Sequence, residues 1–327
     1  MAEQDVFVVA EHLEGKLSEV TFEMLGKARA IAPALGGQAV AVLLGHGVTA
    51  LAEQLGAADQ VLVVDDAALE HFIPEQAGQV LKALLQREQP ALTLIANTSM
   101  GMDLAAALSA ALDWPLIAYC SDVQVEDGSV LATSQIYGGK IAVEAASESK
   151  HTIVSVLAGV FPATEGHAAK PASIQTVPSG IEASAGRMRF KGLTAPEAGD
   201  VDITREALLV SVGRGIGSKD NIELVEELAS ALGAAVSASR PIIDSGWLPK
   251  LRQVGKSGLT VKPKLYLAVG ISGAPEHLQG MKDAELIIAI NSDPGAPIFE
   301  VAHYGIAGDL FDIVPALSEQ LAAVRSE

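Results

Sequence analysis

The stretch LYLAVGISGAPEH, residues 265–277, decides how the chain folds. Leu265–Val269 is an unbroken apolar run of strand length, the pattern of a strand buried on both faces of a parallel sheet. Small residues follow at once, Gly270–Ile271–Ser272–Gly273–Ala274, and Pro275 then opens an expected helix. A strand that passes through such a turn into a helix aims backbone N–H groups at whatever lies beyond the strand's carboxyl end, which suits an anion. His277 falls in the first turn of that helix, where a protonated imidazole is disfavoured. A neutral or ligand-bound histidine and a surface histidine without a role both stay open.

Working outward, the same unit recurs. Ala207–Val212 reads as a strand, followed by Gly213–Arg214–Gly215–Ile216–Gly217–Ser218 and a helix from Ser218 to Leu232. Ile222, Val225, Leu228, Ala229 and Leu232 share one face of that helix. The spacing G-x-G-x-G is not the dinucleotide fingerprint G-x-G-x-x-G, and the acidic residue of that fingerprint is missing. A turn serving only chain geometry is as good a reading as a ligand loop. Ser239–Arg240–Pro241 follows a strand at Ala235–Val236, and Pro241 predicts an extended Arg240 that reaches into a cleft. Val254–Gly255–Lys256–Ser257 is a compact polar turn with a hydroxyl. Leu286–Ile290 is a strand ending in Asn291–Ser292–Asp293–Pro294, Asp309–Leu310 ends another strand-like segment, and Asp312–Val324 is a closing helix. Singly these turns are solvated loops. Together, at the carboxyl ends of strands in one small sheet, they converge on the crevice where α/β proteins bind ligands.

The first half alternates strands and helices in the same way. Asp5–Ala10, Ala39–Leu44, Gln60–Val64 and Ala91–Ala96 read as buried strands; Ser18–Leu35, Val48–Leu55, Pro74–Gln86 and Ser99–Leu112 read as helices. That order implies a doubly wound parallel sheet. From Ser121 to Val177 the chain turns β-rich, with strands at Val130–Thr133, Lys140–Ala146 and Thr152–Leu157 and turns at Glu126–Asp127–Gly128 and Tyr137–Gly138–Gly139–Lys140. Pro178–Thr204 is rich in Gly, Ala, Glu and Pro without a period. The expected organisation is therefore α/β in two domains: a doubly wound domain with a β-rich extension over residues 1–185, a linker over 186–206, and a Rossmann-like domain over 207–327.

The 327 residues include 22 Lys+Arg against 40 Asp+Glu, a net charge of −18, which repels nucleic acid and anionic membrane surfaces; solubility alone explains the charge equally well. Hydrophobic residues make up 49% and aromatics only 4%, with 31 Gly, which favours helices packed closely on parallel sheet. Cys120 is the single cysteine, so no internal disulfide exists, and no Cys/His cluster has metal-ligand spacing. A buried structural thiol in a reducing compartment is expected. No signal-peptide pattern or membrane-length apolar run is present, and a cytoplasmic location is expected. No paired-carboxylate, Ser-His-Asp or zinc constellation emerges; Asp5, Glu11 and His12 read as a strand-end turn.

LYLAVGISGAPEHLQGMKDAELIIAINSDPGAPIFE (Leu265–Glu300) and HYGIAGDLF (His303–Phe311), with SVGRGIGS and ASRPIIDSGWLP upstream, closely resemble the signature of electron-transfer flavoprotein alpha subunits. The resemblance covers most of Ala207–Leu317 and extends more loosely over the first half. It implies a second domain built on a parallel sheet of about six strands that carries FAD. It matches Arg214 to the family's Gly-Arg-Gly arginine, and Ser239 and Arg240 to the pair beside the flavin and its phosphates. Val254, Gly255, Lys256 and Ser257 match a V-G-Q-T turn whose hydroxyl approaches flavin N5. Ser272, Gly273, Ala274, Pro275, Glu276 and His277 match the loop that holds the diphosphate and brings the histidine near flavin O2; Asn291, Asp309 and Leu310 match adenosine-side contacts.

Two departures stand out: Lys256 and Ser257 replace the usual Gln and Thr, and Val156–Phe161 lacks the family's Arg-Pro pair. The resemblance further implies an electron carrier, not a substrate-converting enzyme. It would be paired with a beta subunit, take electrons from flavoprotein dehydrogenases such as acyl-CoA dehydrogenases, and pass them to a membrane quinone oxidoreductase or another acceptor. The rivals are a self-sufficient FAD- or NAD-dependent oxidoreductase, an electron-bifurcating variant, and a nucleotide-binding scaffold without redox chemistry.

Overall fold

The computed structural model describes residues 4–126, 128–137, 139–168, 172–181, 187–193 and 201–325. Two compact units divide the chain, Met1–Gly192 and Leu193–Glu327. Of the expected linker, residues 186 and 194–200 lie outside the described residues, as do Asp127 and Gly138 of the two expected turns.

In the first unit the strands are β1 (Val6–Val9), β2 (His12–Leu13), β3 (Lys16–Leu17), β4 (Ala39–Gly45), β5 (Gln60–Asp65), β6 (Leu92–Ala96), β7 (Leu116–Glu126), β8 (Ser129–Ile136), β9 (Ile141–Ser147), β10 (Thr152–Val156) and β11 (Ser173–Thr176). The helices are α1 (Glu19–Leu35), α2 (Thr49–Ala52), α3 (Pro74–Glu88) and α4 (Ser99–Leu112). One nine-stranded sheet has the order β11-β5-β4-β1-β6-β10-β7-β8-β9. Its strands pair in parallel from β11 through β7, and β8 and β9 add antiparallel. Alternation along β1 explains the two layers: Val6 and Val8 pack with Met24, Leu25 and Ala28 of α1, whereas Phe7 and Val9 pack with Leu81 and Leu85 of α3 and Leu108 of α4. The helix expected over Val48–Leu55 shrinks to α2 alone. The β2–β3 hairpin and the edge strand β11 went unread because neither has an apolar run.

The second unit holds β12 (Leu208–Val212), β13 (Ala235–Ala238), β14 (Leu265–Val269), β15 (Ile287–Asn291) and β16 (Tyr304–Ala307), with α5 (Ile222–Leu232), α6 (Arg240–Asp244), α7 (Pro275–Leu278) and α8 (Leu310–Arg325). All neighbours are parallel in a five-stranded sheet, β13-β12-β14-β15-β16, one strand fewer than the resemblance implied. Val210, Val212, Leu267 and Val269 face α5, α6 and α8. On the opposite face Leu209, Tyr266, Ala268, Ile287 and Ala289 are covered by Val254, Val261, Ile271, Met281 and Ile298, from loops and single turns. Helix α5 starts four residues later than expected. Gly217 adopts a left-handed φ of +79°, and the Asn221 amide donates to the Ile216 carbonyl (2.8 Å), which holds the chain in a turn first.

Candidate functional site

In the second sheet the chain moves from β12 outward to β13 and returns to the other side of β12 as β14, so the strand order reverses between β12 and β14. That is where an open α/β sheet leaves a crevice. Two hydrogen bonds join the loops there: the Gly213 N–H donates to the Val269 carbonyl (2.8 Å) and the Gly215 N–H to the Gly270 carbonyl (3.0 Å). A side chain on Gly213 would place Cβ 2.3 Å from the Gly270 oxygen, so the glycine run first of all lets two backbones touch. Arg214 projects from a single 3-10 turn (Arg214–Ile216) and is exposed. Leu310, buried at the start of α8, packs on Gly270. Asp309 is exposed, and its carboxylate accepts from the Phe311 N–H (2.9 Å).

The other predicted residues collect on the same edge. Ser239 ends β13, buried, its N–H donating to the Val212 carbonyl (3.0 Å). Arg240 is not extended, as Pro241 suggested; it opens α6 with Pro241 at the next helical position, where a missing N–H costs nothing. Its exposed guanidinium donates to Asp244 one turn on (3.1 Å). The turn Val254–Ser257 docks on the segment after β14: Gly255 packs on Glu276 and His277, and the Lys256 N–H donates to the Glu276 carbonyl (2.7 Å). The Ser257 hydroxyl, on an exposed residue, accepts from Gln253 (2.9 Å). Ser272 is exposed, while its carbonyl accepts from the Ile298 N–H (3.0 Å). Gly273, at φ +87°, packs so closely on Ile298 that an added Cβ would lie 2.3 Å from the Ile298 nitrogen. Ala274, Pro275 and Glu276 are exposed around that bend. The Asn291 amide donates to the Ile271 carbonyl (2.8 Å), tying β15 to the loop after β14.

His277 departs most from expectation. α7 is a single turn, too short for a useful dipole, and His277 is buried, only 6% exposed, which removes the surface reading. Burial pushes its pKa down to about 4, against the nearby Val254 carbonyl, which favours the proton. The ring is therefore neutral at pH 7, for a reason other than the helix terminus. Its Nε2 meets the phenol oxygen of fully buried Tyr266 at 2.9 Å, and its Nδ1 has no partner of hydrogen-bond geometry among the described residues. Sequence reasoning missed Tyr266, Ser211 and Ser237. The two serines stand opposite each other in the middle of apolar β12 and β13, both fully buried. A polar residue repeated at the centre of buried strands was the available signal.

The first sheet closes its own crevice. Its order reverses between β1 and β6, and there the Glu11 carboxylate accepts from the Thr98 and Ser18 hydroxyls. Thr98 caps α4 through the Gly101 N–H (3.0 Å), so a carboxylate of the chain already sits at that helix start. In the second unit, by contrast, Arg214, Arg240 and Lys256 are exposed along the crevice of a chain whose net charge is −18. With glycine-lined backbone and an orphaned imidazole nitrogen, these residues fit a dinucleotide: cations for a diphosphate, hydroxyls and a neutral ring for a heteroaromatic edge. No His/Cys/Asp/Glu group able to hold a metal occurs among the described residues.

Fold and site thus define a two-unit α/β protein whose second sheet offers a dinucleotide crevice among the described residues. Residues 6–181 match the electron transfer flavoprotein domain, and residues 202–282 match the electron transfer flavoprotein FAD-binding domain. The chain is 39% identical to the electron transfer flavoprotein subunit alpha of Clostridium acetobutylicum over 329 aligned residues, covering 98% of each chain. It is 38% identical to Protein FixB of Clostridium saccharobutylicum, over 98% of this chain and 97% of that one. It is 34% identical to the lactate dehydrogenase (NAD(+),ferredoxin) subunit LctC of Acetobacterium woodii, over 95% of this chain and 75% of that one. The chain belongs to the electron transfer flavoprotein family, in its alpha-subunit branch, and FAD is its cofactor. Asn291, Asp309 and Leu310 lie beyond the segment matched to the FAD-binding domain.

Proposed function

We propose that this chain is the FAD-carrying half of a heterodimeric electron carrier, paired with a beta subunit, that relays electrons between flavoprotein dehydrogenases and an acceptor such as a quinone oxidoreductase. The observation that carries the reading is the meeting of the polar turns that follow the strands of the second sheet at one edge, within a domain of FAD-binding ancestry. Bound FAD supplies the one- and two-electron chemistry. Gly213, Gly215, Gly270 and Gly273 keep the floor of the crevice free of side chains, so backbone N–H groups and the Ser272 hydroxyl reach a diphosphate. Arg214 and Arg240 offset its charge, and Arg240 also favours negative charge on the reduced ring, which raises the potential. The Ser257 hydroxyl serves the flavin edge, with Lys256 adding a cation beside it. Asn291, Asp309 and Leu310 support the adenosine side. His277, neutral and buried, offers a hydrogen bond without a second charge.

Three domain limits go with this reading: an N-terminal domain over 1–185 that supplies the beta-subunit interface, a linker over 186–206, and the FAD domain over 207–327. We place the carrier in the cytoplasm on the strength of its single, buried, unpaired thiol, Cys120. Among the described residues no helix is long and apolar enough to cross a membrane.

Purification with the beta subunit, followed by a visible spectrum and a reduction assay, tests the proposal. The expected result is a yellow complex that an acyl-CoA dehydrogenase with its substrate reduces and NADH alone does not. A colourless complex that cannot be reconstituted with FAD would overturn it. Direct reduction by NADH would favour a bifurcating carrier, a reading supported by the relative from Acetobacterium woodii whose name couples NAD(+) and ferredoxin.

A further inference from the structure

Beside the crevice lies a buried polar cluster. Tyr266, Ser211 and Ser237 are each 0% exposed, and His277 is 6% exposed. Register explains the meeting. Tyr266 stands opposite Leu209 on β12, so Ser211, two residues further along, shares its face of the sheet, and Ser237 is the Ser211 partner on β13. Both serine hydroxyls are close enough to the phenol to favour its ionised form, and neither makes a hydrogen bond of full geometry among the described residues. The fourth member, His277, reaches the same oxygen through Nε2 at 2.9 Å.

Counting donors leaves one economical arrangement. A phenol oxygen accepts two hydrogen bonds and donates one. If Ser211 and Ser237 both donate to it, the phenol proton goes to Nε2, and every buried O–H in the cluster is used. If Nε2 instead carried the proton and donated, the phenol oxygen could accept from only one serine, and the other would need its strand neighbour as acceptor.

We propose that Tyr266 is a positioning residue. Its phenol O–H, steadied by Ser211 and Ser237, donates to Nε2 of His277 and fixes the imidazole as the Nδ1–H tautomer. Nδ1, the ring nitrogen with no hydrogen-bond partner in the described structure, is then a donor and not an acceptor. A donor is what a carbonyl of the flavin edge requires, most of all when reduction concentrates negative charge there. The ligand half of this inference rests on the FAD reading above; the tautomer does not.

Imidazole 15N NMR on the complete chain with its beta subunit, with and without FAD, tests the two halves separately. The His277 signals are those missing from the His277→Gln variant. The expected result is a proton on Nδ1 and a bare Nε2 in both samples. A proton on Nε2 in the FAD-free sample overturns the proposal, whatever the cofactor does. Tyr266→Phe, which keeps the ring and removes the O–H, is the second arm. It should lose the single-tautomer pattern, lower the flavin midpoint potential and weaken FAD about tenfold, the value of one hydrogen bond. Unchanged tautomer and potential in Tyr266→Phe would overturn the role. Should that variant fail to fold, Ser211→Ala with Ser237→Ala asks the same of the tautomer, and retention of a pure Nδ1–H form there would remove the serines from the argument. An expected tautomer in a protein that never binds FAD would count against the FAD reading and leave the positioning intact.

Discussion

At the scale of single residues, His277 couples the site to stability. Its ordinary pKa is 6.5 and burial lowers it to about 4 in the folded chain. Below pH 6.5 the unfolded chain takes up a proton that the folded ring refuses until about pH 4. Stability is therefore complete above that window and falls as the pH drops through it, by about 3 kcal/mol in all. Urea unfolding of the FAD-free chain across the window should show this loss, and His277→Gln should flatten it. A wild-type profile as flat as the variant's would mean that the ring is not buried neutral. Lys256 and Ser257 show the opposite case, exposed residues on a turn where the sequence departs from the Gln and Thr that the resemblance implied.

At the scale of elements, α1 and the segment after β10 are held by one buried carboxylate. Glu23, 5% exposed, accepts from the Gly159 N–H at 2.8 Å and 3.0 Å and from the Phe161 N–H at 3.4 Å. Burial raises its pKa, and those N–H groups work against that rise. Glu23→Ala should cost about 2 kcal/mol, because two backbone N–H groups lose hydrogen bonds to a buried, charged acceptor. Thermal unfolding of the variant measures it, and hydrogen exchange at Gly159 and Phe161 should accelerate. A loss below about 0.5 kcal/mol, the usual effect of a surface change, would show that the clamp carries little.

At the scale of the whole molecule, each unit has one tryptophan, Trp114 against the first unit's core and Trp247 against the second unit's core. The two side chains therefore report separately. With the chain labelled by 5-fluorotryptophan and its partner unlabelled, FAD at about 100 times its dissociation constant should stabilise the unit that binds it by about 2.7 kcal/mol. The 19F signal of Trp247 should follow that rise and the signal of Trp114 should lag behind it. An equal rise in both, or a rise in Trp114 alone, would contradict the assignment of FAD to the second sheet. The same contrast is present where the two strand orders reverse: the Glu11 carboxylate bonds to Thr98 at the start of α4 in the first sheet, and glycine backbone with exposed cations lies there in the second.

Much of this was legible in the chain itself. Leu265–Val269 is apolar without alternation, so it had to be a strand buried on both faces, and the small residues behind it had to be a turn. Ser99–Leu112 and the strands of the second unit follow from the same local periodicity. Tertiary structure decided what periodicity cannot carry. Arg240 became helical because a proline just inside a helix start is tolerated, and the preference of the residue before it yielded to the turn closed by the Ile242 N–H on the Ser239 carbonyl. His277 became buried because the Val254–Ser257 turn closes over it, a contact between segments some twenty residues apart. The Tyr266 cluster needed the register of three strands, since pairing brings Ser211, Ser237 and Tyr266 together on one face of the sheet. Local sequence sets which backbone runs straight and which turns; only the parallel register sets which polar atoms share a dry interior, and there an unmatched proton costs most.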